Sequence, residues 1–398
     1  MGLAKRFYEE MNDPDRIEPQ PGQYVSAACF EDYALNKFVR KNLTAHNCSY
    51  YDGQGRHPKG AELDVVIQFV FERLCSRYDD ATSGVGWDRG FVGAETYDSD
   101  DLVREHVDLT ENAKEALLED IIGELPDRTW SEIDPYRARV HSVYSWSWDK
   151  LVDVVKHKRR YFFDVSNEAL LDEEISPHQL LATVANKCRQ ARMLRKLPIG
   201  SEFFRCRPSE KDQHFDTPLD LGPAPKEYAA QNRMSPAGIP MFYGAADNET
   251  AQAETLNRLK DPHSMALFAL GREVTVLDLT TAPIISIFDS RRQSLYDWAI
   301  FMHRFRRDLS KKIEKDNRVH IEYIPTQVVT EYFRTFLRAR GGKLIDGILY
   351  QSATHTKGKC IALFADSDDV EPLAQKQVDP ASGHLLQLLS VAQQYGSK

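Results

Sequence analysis

The 398-residue chain carries 51 lysines and arginines against 60 aspartates and glutamates, a net charge of −9, with 42% hydrophobic and 28% charged residues. That balance excludes a disordered chain, and the negative charge argues against wholesale binding to a polyanion while leaving room for a local basic pocket. At roughly 150 residues per domain the length predicts two or three domains, and no run of about 18 apolar residues is present to form a membrane-spanning helix.

The opening MGLAKRFYEE has no apolar stretch, so no secretory signal is expected. Gly2 is not read as a myristoylation site, because Arg6 stands where that motif needs Ser or Thr. Six cysteines at 29, 48, 75, 188, 206 and 360 are too sparse for a disulfide framework. Reduced thiols in a cytoplasmic protein are the expectation.

Taken in chain order, residues 1–20 are polar and read as a loosely held arm. Apolar spacing predicts a helix over 32–42. A clearer one spans 61–78, where Leu63, Val66, Ile67, Val70 and Leu74 fall on one face. After a Gly/Asp/Ser-rich loop at 79–100, a helical segment is expected from Ser99 to Leu125, closed by Pro126. SWDKLVDVVKHKRR and SPHQLLATVANKCRQARML add two helices, the second with Ser176 as N-cap and Pro177 in its first turn.

Near residue 200 the pattern changes to short apolar runs read as strands: FFRCR (203–207), PMFYGAA (240–246), 264–279, KLIDGILYQS (343–352) and KCIALFAD (359–366). Helices are expected between them at 248–260, 291–312 and 325–340, and an amphipathic turn around His384–Val391. The fold class is therefore α+β: a mostly helical domain over 1–165, then a mixed α/β domain over 166–398 with its core at about 200–366, the boundary lying in the helical stretch between 150 and 195.

GxGxxG after a strand, GxxxxGK[ST], HExxH and GxSxG are all missing. Cys29 and Cys48 lack CxxC partners, so a zinc site would have to recruit His46 and His57. The second half offers more. FFRCR carries Arg205 and Arg207, and NRMSPAGIPMFYGAADNETAQAET carries Arg233, Tyr243 and Glu254. DGILYQS places Ser352 at a strand end. Each alone has an ordinary explanation, as a surface ion-pair partner, a solvated helix acid or a turn cap.

In that order, however, the segments resemble the RES domain, named for its Arg, Glu and Ser. FFRCR matches its first arginine strand, NRMSPAGIPMFY its second arginine and tyrosine, NETAQAE its glutamate helix, and DGILYQS its serine. Phe204 and Ser235 depart from the residues common at their positions. The helical half is similar to the HEPN/RES N-terminal module, retaining CFED (29–32) and one further cysteine of its zinc knuckles. Arg40 and His46 fit a HEPN ribonuclease spacing, though scaffolding or partner binding is the preferred role.

The resemblance implies a C-terminal domain like the ADP-ribosyltransferase fold that consumes NAD as a substrate, with no bound cofactor or metal. It makes Arg205, Glu254 and Ser352 catalytic, and Arg205, Arg207, Arg233, Tyr243 and Ser352 substrate-binding. Glu254 would stabilise the oxocarbenium-like ribose as nicotinamide departs. The arginines would take the pyrophosphate bidentately, and Tyr243 would stack on nicotinamide. Water, inorganic phosphate or a macromolecule are the candidate acceptors, and NAD degradation is preferred to mono-ADP-ribosylation. Phosphate as acceptor would call for a further anion contact, from Arg207 or His355.

A toxin or anti-phage effector is implied, with an antitoxin or regulatory protein and a homo-oligomer as expected partners and neither membrane nor nucleic acid among them. A rival reading takes FMHRFRRDLSKKIEKDNR (301–318), with seven basic residues, as a nucleic-acid-binding face, although Asp308, Glu314 and Asp316 interleave them.

Overall fold

A computed structural model describes residues 22–54, 58–162, 175–210, 213–258, 261–311, 313, 319–371, 378–379 and 383–394. The expected N-terminal arm, His57, the end of the 248–260 helix and most of 312–318 lie outside them. The chain forms two compact units: Met1–Ala138 together with Ile284–Tyr296, and Arg139–Pro283 together with Asp297–Lys398.

The first unit contains β1 (Tyr24–Val25), α1 (Tyr33–Lys41), β2 (Leu43–Ala45), β3 (Gly60–Glu62), α2 (Leu63–Leu74), β4 (Tyr78–Asp80), β5 (Gly86–Trp87), β6 (Phe91–Val92), α3 (Ser99–His106), α4 (Ala116–Glu124) and β7 (Trp130–Glu132). Asp32, the last residue of CFED, caps α1 by accepting from Ala34 N at 2.8 Å and Leu35 N at 2.9 Å. The apolar stripe of α2 is wholly buried, its five spaced residues at 0% exposure. The single helix expected over 99–125 is two helices. Between them Leu109 bridges to Phe30 and Ala113 to Tyr51, so tertiary pairing extracts those residues from the helical path. Ile287 and Phe288 complete this unit's core, with Phe288 tilted against Phe69 at 6.3 Å.

Cys29 and Cys48 are both buried in that core with their sulfurs 3.6 Å apart. His46 is exposed, and no group of three or more metal-ligating side chains occurs among the described residues. Arg40 ends α1, bonded to Asn36, while His46 follows β2, so no single helix presents the two.

The second unit is built on one eight-stranded mixed sheet: β8 (Leu194–Leu197), β9 (Glu202–Pro208), β10 (Phe242–Ala245), β11 (His263–Leu270), β12 (Val274–Asp278), β13 (Gly347–Gln351), β14 (Lys359–Leu363) and β15 (Leu386–Gln394), in the order β15-β11-β9-β10-β14-β13-β12-β8. Only β12 and β13 pair in parallel. The turn expected around His384–Val391 is instead most of β15, which pairs along the length of β11.

The longer helices of this unit among the described residues are α5 (Val140–Asp153), α6 (Pro177–Gln190), α7 (Asn248–Thr255), α8 (Tyr296–Ser310) and α9 (Ile324–Phe336). Ser176 and Gln179 form a reciprocal capping box that starts α6. Trp148 of α5 meets Phe305 of α8 edge-on at 5.0 Å. One face of the sheet carries a continuous apolar cluster including Phe203, Phe242, Phe268, Leu349 and Ile361. No helix among the described residues is long and apolar enough to cross a membrane.

Candidate active site

Glu254 is placed by α7. Asp247 caps that helix, its carboxylate accepting from Thr250 N at 2.7 Å and Thr250 Oγ1 at 2.8 Å. At the far end the Glu254 carboxylate meets the turn that follows β13. Oε1 accepts from Ser352 Oγ at 2.5 Å and from Ala353 N at 2.9 Å. Oε2 has no hydrogen-bond partner among the described residues.

Ser352 is 8% exposed and does two jobs at once. Its hydroxyl donates to Glu254 and accepts from Thr354 N at 3.2 Å and His355 N at 2.9 Å, so one side chain fixes both the turn and the carboxylate. The turn closes where Ser352 N donates to Gly358 O at 2.8 Å. A short charge-assisted bond of this kind holds a carboxylate in one rotamer.

Around the carboxylate lie buried groups kept neutral. Burial, then Cys360 and Glu254, push the Tyr350 phenol well above its ordinary range. Burial, then Glu254, push the Cys360 thiol up as well. Register explains the grouping: Tyr350 pairs with Cys360, Cys360 with Ala245, and Tyr243 with Ala362, so these residues share one face of the sheet. On the same strand as Ala245, Tyr243 donates and accepts through its hydroxyl, with Ser235 Oγ at 2.9 Å and Met234 N at 3.3 Å. Burial raises that phenol to about 12. Ser235, the departure noted in the sequence, is thereby the tyrosine's partner.

The arginines are disposed differently. Ala245 pairs with Phe204, so alternation along β9 puts Arg205 and Arg207 on the opposite face, with Phe203. Arg205 lies over the Phe242 ring at 5.4 Å and donates from Nη1 to Tyr243 O at 3.3 Å. Its remaining N–H groups have no partner among the described residues. Burial, then Arg207, bring its guanidinium down to about 10. Arg207 stacks on Phe215 at 3.7 Å and donates to Asp220 O. Arg233 donates through Nη1 to Leu309 O at 3.1 Å and Lys311 O at 2.8 Å, at the C-terminal end of α8, where a cation is favoured by the unpaired carbonyls.

The structure thus joins Glu254 to Ser352 directly and sets Tyr243 on the same sheet face. Arg205 reaches that strand through a carbonyl, and Arg207 and Arg233 are committed to backbone carbonyls elsewhere. Tyr350, Cys360, Asp247 and Thr250 were not singled out in the sequence. The first two were hidden in apolar strands. The signal for the other two was the capping pattern of DNET, ordinary at any helix start.

Of the basic residues described in 301–318, Arg307 and Lys311 are exposed and two others are engaged. Arg304 pairs with Asp149, and Arg306 donates to Leu279 O at 2.5 Å and to Thr280 O.

The mixed sheet and α7 thus present a serine-anchored glutamate, with a half-buried tyrosine on the same sheet face. The RES domain model matches residues 202–382. A second model, HEPN/RES N-terminal domain 1, matches residues 41–169. The chain therefore joins an HEPN/RES N-terminal domain to a RES domain. No curated protein and no solved structure matches it significantly.

Proposed function

We propose that the protein degrades NAD by breaking the bond between nicotinamide and its ribose, as a toxin or defence effector. The RES domain supports an NAD-directed module of that kind. The observation that carries the reading is Glu254: one carboxylate oxygen is fixed by Ser352 Oγ and Ala353 N, and the other is left without a partner among the described residues.

Nicotinamide leaves from NAD as a neutral ring, so the step asks for little acid catalysis. It asks for negative charge beside a ribose that becomes oxocarbenium-like. A preoriented carboxylate in a partly dry site supplies it at low reorganisation cost. Tyr243 offers a ring for the nicotinamide, and Arg205 has N–H groups for the pyrophosphate. Substrate-binding roles for Arg207 and Arg233 require their remaining donors, since Nη1 of each already serves a carbonyl.

The test is NAD consumption by the purified protein against E254Q. Removing the charge while keeping the shape is expected to lower kcat by about 10²-fold or more with an unchanged melting temperature. Equal rates for the two proteins defeat the assignment of Glu254.

A further inference from the structure

We propose that His355 is the base that accepts the proton of an attacking water, which makes the reaction a hydrolysis. This rests on the NAD-cleaving reading and deepens it by naming the acceptor.

The argument starts from a chain of three groups. Asp247 Oδ2 accepts from Thr250 Oγ1 at 2.8 Å, and Thr250 Oγ1 lies 2.7 Å from His355 Nδ1. A carboxylate accepts only, so the threonine hydroxyl gives its hydrogen to Asp247 and offers a lone pair to the ring. The network therefore assigns the hydrogen to Nδ1 and leaves the Nε2 lone pair open. Nε2 has no partner among the described residues. Asp247, relayed through Thr250, fixes the tautomer and orientation of the ring, which makes both positioning residues.

Position places this base beside the carboxylate. Thr250 and Glu254 are four residues apart on α7, hence neighbours on one helical face at about 5–6 Å between Cβ atoms. The 352–358 turn runs along that face, with Ser352 and Ala353 on Glu254 and His355 on Thr250. Gly358 keeps the turn close: a Cβ there would lie 2.6 Å from Thr250 Oγ1 and 3.0 Å from His355 Nδ1.

Glu254 and the Thr250 partner of His355 thus stand one helical turn apart on the face that the 352–358 turn covers. The charged groups on the elements packed about the imidazole are Asp247, which caps α7, Glu249 and Glu254 of α7, and Lys357 and Lys359 of its own turn and strand. Arg207, the other candidate contact for a phosphate, is on the opposite sheet face and donates to Asp220 O.

In the step, the water oxygen bonds to the anomeric carbon as the bond to the nicotinamide nitrogen breaks. The electron pair of that bond returns to the pyridinium ring, nicotinamide leaves neutral, and the proton of the water passes to Nε2. Glu254 balances the charge on the ribose throughout.

The experiment follows NAD cleavage and its products from pH 5 to 9, with and without inorganic phosphate, for the wild type, H355N, T250V and E254Q, with a thermal melt of each. The wild type is expected to release ADP-ribose without phosphate. H355N is expected to lose about 10²-fold in kcat and keep KM. T250V, which keeps the imidazole but removes its orienting partner, is expected to lose less in kcat and likewise keep KM.

Cleavage abolished in E254Q but unchanged in rate and pH profile in H355N overturns the proposal and leaves the NAD reading standing. So does a product that is only phosphorylated ADP-ribose. Absence of cleavage by the wild type overturns both.

Discussion

His106 shows what burial does to a single side chain. It ends α3, and its Nε2 lies 3.0 Å from the Tyr78 hydroxyl. Burial, then Arg77, hold its pKa down at about 4 against an ordinary 6.5. The folded-state value is below the unfolded one, so between about pH 6.5 and 4 the unfolded chain binds a proton that the native chain refuses. Stability therefore declines as pH falls through that window, by at most about 3 kcal/mol, and levels off below it. Urea midpoints measured from pH 7 to 4 should show the decline in the wild type and a flatter profile in H106Q. The same slope in both proteins would remove His106 as its cause. Ser352 makes the opposite point: its value lies in being bonded on both sides at once, to Glu254 and to the turn.

Among the elements, α8 and the 230–240 loop are tied by Arg233. Its two bonds to Leu309 O and Lys311 O satisfy carbonyls that the end of a helix leaves open, and its guanidinium lies 5.7 Å from the Tyr323 ring. R233A is expected to cost roughly 2 kcal/mol of stability, and R233K to recover part of it, because an ammonium can serve both carbonyls but lacks the planar guanidinium that lies by the Tyr323 ring. Chemical denaturation of the three proteins decides this; full stability in R233A would leave Arg233 to ligand binding alone.

The elements also show what a sequence can reveal. The spacing of Leu63, Val66, Ile67, Val70 and Leu74 pointed to α2 because periodicity alone places all five inside. The 384–391 run was ambiguous because LLQLL suits helix or strand, and its partner β11 lies more than a hundred residues away. The site divided in the same way. Glu254 and Ser352 were singled out through the resemblance of NETAQAE and DGILYQS to RES segments, but their contact was not, since it joins residues 98 apart. The Asp247–Thr250–His355 relay was equally hidden, since it needs residues 105 apart to meet.

For the molecule as a whole, the decisive feature is that the first unit is not contiguous in sequence. Residues 284–296 belong to it, bringing Ile287 and Phe288 into its core and bonding Gln293 Nε2 to Ser76 Oγ at 2.9 Å and Tyr33 to Asp289 at 2.8 Å. A fragment of residues 1–138 lacks those contacts. Linking residues 284–296 to it should raise its melting temperature by roughly 10 °C or more, given the several kcal/mol that burial of a phenylalanine contributes, and F288A in the linked form should abolish most of the gain. Identical melting of fragment and linked form would show the segment to be dispensable.

That discontinuity also sets a clock on biosynthesis. As the chain emerges from the ribosome, the core of the first unit lacks Phe288 until five of the eight sheet strands have already been made. Ser352, which anchors Glu254, arrives more than fifty residues after the inserted segment ends, and β14 and β15 later still. The N-terminal unit therefore has all of its parts before the glutamate has its anchor, so the newborn protein can complete that unit while the candidate site is still unassembled.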